Sequence, residues 1–127
     1  MNDSSKIISL KEKLAGSNLY LIGMMGSGKS HTGPHLADKL GYNFVDIDSL
    51  IEEFYQKSIA KIFEEDGEFA FRKLESEFLK EIGKRHSLIV ATGGGLIIKK
   101  ENWGILHQGV VVWIDPGRDR LLKRLQS

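Results

Sequence analysis

Four short apolar runs divide the chain: NLYLIG at 18–23, NFVDID at 43–48, SLIVATG at 87–93 and GVVVWID at 109–115. Segments of helical pattern separate them. Residues 28–40 place Leu36 and Leu40 one turn apart, 49–83 read as helix in pieces broken at Gly67, and 99–107 suggest another helix. Pro116 is expected to open a last helix running to the end. Strands that are apolar on both faces need cover on both, and intervening helices supply it. The pattern therefore predicts a three-layer α/β/α domain on a parallel, doubly wound sheet. Ligands of such sheets sit beyond the carboxyl ends of the strands. Three of the four runs end in something chemical: GMMGSGKS, DID and TGGG.

At 127 residues and 41% hydrophobic, the chain suits one globular domain with one core. A formal net charge of +1 gives no global pull toward nucleic acid or an acidic membrane, so any anion recognition must be local. The absence of cysteine excludes disulfides, thiolate metal sites and cysteine nucleophiles, and fits a reducing cytoplasm. No run approaches the ~20 apolar residues of a membrane helix. Residues 1–17 read as an amphipathic helical extension with Ile7, Leu10 and Leu14 on one face, decorating a domain at 18–127.

Gly23, Gly28, Lys29 and Ser30 fit G-x-x-x-x-G-K-[ST] in the required place, after a strand and at the start of a helix. Glycines let several backbone N–H groups point at one phosphate, and the helix N-terminus faces the same anion. Lys29 can follow the terminal phosphates, and Ser30 can place its hydroxyl on a nucleotide-bound magnesium ion. Asp46 and Asp48, two apart in an extended run, share one face. They suit either the water shell of magnesium and a substrate hydroxyl, or the capping of the following helix. Arg72 and Glu75 lie three apart on a helix whose core stripe is Phe71, Leu74 and Phe78. Their pair is either a surface ion pair or a held guanidinium fork for a substrate carboxylate. Gly93, Gly94 and Gly95 form either a flexible loop or a backbone brought close to a ligand.

In this order and spacing, GMMGSGKS, FVDID, SIAKIFEEDGEFAFRKLE and TGGG resemble the shikimate kinase family, from about Asn18 to the end of the chain. The resemblance implies a P-loop NTPase-like fold of the nucleoside-monophosphate-kinase type. It implies ATP-dependent phosphorylation of the shikimate 3-hydroxyl on the route to chorismate and the aromatic amino acids, with ATP and Mg2+. It implies that Gly26, Ser27, Gly28, Lys29, Ser30 and His31 hold the nucleotide phosphates, with Ser30 and Asp46 toward magnesium. Lys29 and Asp48 would be catalytic, Asp48 as the base on the shikimate hydroxyl. Arg72 would meet the shikimate carboxylate, Gly93, Gly94 and Gly95 the substrate, and Arg124 the nucleotide. A substrate lobe over about 49–83, a cytoplasmic monomer, and no nucleic-acid or membrane partner complete the expectation.

Two departures are visible. His31 stands where the family usually has threonine, although its backbone N–H can still serve a phosphate. Family members also continue past the point matching Ser127 into a basic lid, a further strand, a second arginine and a last helix. Without these, weak turnover or none and an open sheet edge at the fourth strand are expected. A kinase of another metabolite, of gluconate or nucleoside type, and a non-catalytic nucleotide- or shikimate-binding relative are the alternative readings.

Overall fold

The computed structural model describes residues 9, 11–23, 29–93, 95–115 and 120–123, with the backbone alone at 29–31, 115 and 120–123. Strands β1 (Leu19–Ile22), β2 (Asn43–Asp46), β3 (Leu88–Ala91), β4 (Val110–Asp115) and β5 (Arg120–Lys123) form one sheet. Its order is β2-β3-β1-β4-β5. The first four strands are parallel, and register aligns Asp46 with Ala91 and Ala91 with Leu21. Their carboxyl ends therefore lie along one edge.

Alternating side chains of each strand face opposite layers. Leu19, Leu21, Ile89, Val112 and Ile114 pack with Leu36, Ala37 and Leu40 of α1 (Lys29–Leu40). Tyr20, Ile22, Leu88, Val90 and Val111 face the other way. They meet α2 (Ile47–Tyr55), α3 (Ile59–Gly83) and α4 (Lys100–Leu106) through Ile47, Ile51, Ile62, Phe71, Leu79 and Leu106. The expected three layers are present. Leu14 is 1% exposed in the α1-side cluster. Burial of this leucine, worth ~2 kcal/mol, ties the helical segment at 11–14 to the domain. Ile7 and Leu10 lie outside the described residues.

Two local expectations are corrected. The second strand stops at Asp46, because its carboxylate caps α2 by accepting from the Ser49 N–H at 3.1 Å. Asp48 thus lies in the first helical turn and does not share a strand face with Asp46. Residues 120–123 form β5, antiparallel to β4, where a helix is expected from Pro116. The connection at 116–119 is too short for the crossover that a parallel partner needs, so the chain can return only antiparallel. β5 also covers the edge of β4 that the sequence reading leaves open.

The break at Gly67 is present. Its φ of 88° and ψ of 165° interrupt α3 in a conformation that L side chains resist. Ser58 caps the start of α3 by accepting from the Lys61 N–H at 3.1 Å. The Glu52 carboxylate accepts the Ile59 N–H at 2.8 Å, tying α3 to α2.

Candidate active site at the carboxyl edge of the sheet

The carboxyl ends of β1, β2 and β3 lie side by side along one edge. Thr92, 2% exposed, anchors the last of them: its N–H and Oγ1 both donate to the Leu21 carbonyl, at 3.1 and 3.2 Å. Gly93 follows. A Cβ there would stand 2.9 Å from Asp48 Oδ2 and 3.2 Å from Glu75 Oε2. Two carboxylates from different helices therefore flank one glycine, and no side chain fits between them.

Arg72 comes from α3 on the same side. Its Nη1 donates to Glu75 Oε1 at 2.8 Å, and its Nη2 lies 3.5 Å from Glu68 Oε2. The guanidinium carbon sits 5.4 Å from the Phe71 ring centre and 5.8 Å from that of Phe63. A fork held on aromatic faces by a carboxylate is fixed in direction. It also covers Gly95, where any Cβ would overlap the guanidinium. The flat reading of Arg72 as a surface pair fails on burial: Glu75 is 1% and Arg72 21% exposed.

Burial pushes the Glu75 carboxyl up from its ordinary range. The Arg72 hydrogen bond and charge oppose this without cancelling it, the Asp48 charge adds to the rise, and the Lys99 charge lowers it. On Arg72, burial works against the charge, but the Glu75 hydrogen bond and charge prevail and raise its pKa. A carboxyl raised in the folded state contributes stability that is complete below its unfolded pKa and is lost as pH rises through the folded value. Glu75→Gln keeps the acceptor for Arg72 and removes that loss. Its melting temperature is expected to exceed the wild-type value at pH 8, with the gap closing near about pH 4. A lower melting temperature at both pH values would show that the ion pair outweighs its burial cost.

The structure brings Asp46, Asp48, Arg72, Gly93 and Gly95 to one edge. It starts α1 at Lys29, beside the same edge, with Ser30 and His31 in the first turn. The side chains of these three lie outside what is described, as do Gly26, Ser27, Gly28, Gly94 and Arg124 entirely. A nucleotide-borne magnesium ion takes most of its oxygens from phosphate and water, and one or two protein carboxylates suffice. Asp46, half-buried at the end of β2, is suited to that role, with Oδ1 already committed to the Ser49 N–H. Sequence reasoning names Glu75 only as a partner of Arg72, and misses that it is buried against Gly93. It also misses Asn102 and Trp103 of α4, which have no recognisable motif.

The layering, the strand order and the carboxyl ends aligned along one edge are those of a P-loop NTPase-like α/β domain. The shikimate kinase family model matches residues 25–127, and the chain belongs to that family. It is 58% identical over its whole length to the shikimate kinase of Prochlorococcus marinus strain MIT 9211, and 57% to that of strain MIT 9313. It spans 64% and 66% of those two proteins. Among solved structures, the Acinetobacter baumannii shikimate kinase in complex with shikimate superposes with a TM-score of 0.77 at 42% identity. That match covers 82% of this chain and 59% of the other. The Aquifex aeolicus shikimate kinase gives 0.73 at 40% identity, covering 77% and 59%. No described helix is long and apolar enough to cross a membrane.

Proposed function

We propose that this protein transfers the γ-phosphoryl group of ATP to the 3-hydroxyl of shikimate. The observation that carries the reading is the convergence at Gly93 and Gly95. A fixed guanidinium stands beside two carboxylates, all three packed directly against glycines that lack a side chain to keep them apart. A polyol carrying one carboxylate matches that set: the carboxylate pairs with Arg72 and the hydroxyls donate to the acids. Gluconate shares these groups but not the rigid ring that presents them together.

In this mechanism Asp48 orients the attacking hydroxyl and accepts its proton as the oxygen bonds to the γ-phosphorus. The bond from that phosphorus to the bridging oxygen breaks, and ADP leaves. Lys29, with the backbone at Gly26–Ser30 and at His31, holds the phosphates. By the family resemblance Gly94 is assigned to the acceptor and Arg124 to the nucleotide; both lie outside the described residues. Ser30 and Asp46 would hold magnesium, which supplies positive charge to the phosphates when bound. Glu75 does not react; it aims Arg72. Residues 49–83 form the acceptor lobe of the 18–127 domain, with residues 1–17 as its extension. A monomer in the cytoplasm is part of the same reading.

The test uses the protein expressed from its natural gene. ADP formation is expected to require shikimate and magnesium, with the phosphate recovered on the shikimate ring. Gluconate and nucleosides are expected to leave the rate at background. Equal stimulation by gluconate, or ATP binding with no response to shikimate, overturns the reading.

A further inference from the structure

Two neighbouring side chains of α4 reach back to the turn that follows the glycine loop. Asn102, 1% exposed, donates from Nδ2 to the Leu96 carbonyl at 2.8 Å. Trp103 donates from its indole Nε1 to the Ile97 carbonyl at 2.8 Å. Both carbonyls belong to a 3₁₀ turn, Leu96–Ile98. That turn in turn binds the loop: the Leu96 N–H donates to the Gly93 carbonyl at 3.2 Å, and the Ile98 N–H to the Gly95 carbonyl at 3.1 Å. An unbroken chain of hydrogen bonds therefore runs from α4 to the glycines beside Arg72, Asp48 and Glu75.

The choice of asparagine is informative. Its Oδ1 is buried with no partner among the described residues. An unmet acceptor in the core is a cost that a leucine of similar size would avoid. The one thing asparagine does here that leucine cannot is to donate to Leu96. The Leu96 side chain is itself fully buried, which fixes where that residue sits. Burial alone does not fix the rotation of its peptide plane; a bond to the carbonyl does. Short 3₁₀ turns are weakly held by their own bonds, so outside donors matter.

We propose that Asn102 and Trp103 are positioning residues that set the loop carrying Gly93 and Gly95 against Arg72 and the two carboxylates, and so set affinity for the acceptor. This rests on the function proposed above. Asn102→Leu removes the donor together with the unmet acceptor. It is expected to melt no lower than wild type, yet to bind shikimate about tenfold more weakly, with ATP affinity unchanged. Amide exchange at Leu96 and Ile98 is expected to speed up in the same variant. Trp103→Phe keeps a ring and loses only the indole donor; it should shift both readouts in the same direction. Asn18→Ala serves as the control. It removes another buried amide, which holds the Ile82 carbonyl at 3.2 Å and the Leu88 N–H at 3.0 Å, at the end of β3 opposite the glycine loop. Asn18→Ala should lower the melting temperature and leave the ratio of shikimate to ATP affinity alone.

Unchanged exchange at Leu96 and Ile98 in both α4 variants overturns the proposal, as does a parallel loss of shikimate and ATP affinity. A wild-type protein that binds no shikimate instead overturns the proposed function, and the exchange rates alone then decide whether the clamp exists.

Discussion

Asp48→Asn is expected to lower shikimate-dependent turnover by about 10³-fold, the range that loss of a general base produces. Asp48 sits in the first turn of α2, where Ile47 and Ile51 are fully buried against the core. The helix cannot shift to compensate. Asparagine matches aspartate in shape and still accepts a hydrogen bond, so ATP binding and the fold should survive. The charge of Asp48 raises the already costly Glu75 carboxyl. Its removal should therefore lift the melting temperature slightly at neutral pH. Lost turnover with a steady or higher melting temperature points to chemistry. Turnover within tenfold of wild type removes Asp48 from the base role.

Arg72→Ala is expected to weaken shikimate binding by about 10²-fold or more, the scale found when one member of a desolvated charge pair is truncated. It also leaves Glu75 buried without its main counter-charge, so the single variant is destabilised, and more so as pH rises. The double variant Arg72→Ala with Glu75→Gln separates the two effects. It should fold nearly as well as Glu75→Gln and still fail to hold shikimate. Arg72→Lys restores a charge without the planar fork and should recover only part of the affinity. Measured shikimate affinity equal to wild type in the folded double variant would detach Arg72 from the acceptor.

Much of this arrangement was legible in the residues. Short runs apolar on both faces, with helices between, led to the three layers because only a parallel sheet buries both faces. Gly67 was legible as a break, since glycine inside a helical pattern costs stability unless a special backbone conformation needs it. The end of β2 was not legible. In NFVDID the alternation simply continues, and nothing local says that Asp46 will cap a helix instead of extending the strand. β5 was hidden by Pro116, a residue equally at home opening a helix or a turn. The spacing of Arg72 and Glu75 suggested a pair, yet a glutamate on a charged helix looks exposed until the fold presses it onto Gly93. Asn102 had no signal, because a polar residue in a short helix is ordinary until its carbonyl partner is known.

The packing around Gly95 also limits how such a protein can diverge. A lone change at Glu75 that removes its acceptor oxygen frees the guanidinium, and one at Arg72 strands a buried carboxylate. A change at Gly95 drives a Cβ into the guanidinium. A change that breaks any one of these contacts calls for a second change to repair it, so under the proposed function the three positions hold one another in place. At the rim, Ile98 stands exposed and outside that coupling, whereas Phe63 is drawn into it through its ring contacts with Phe71 and Arg72.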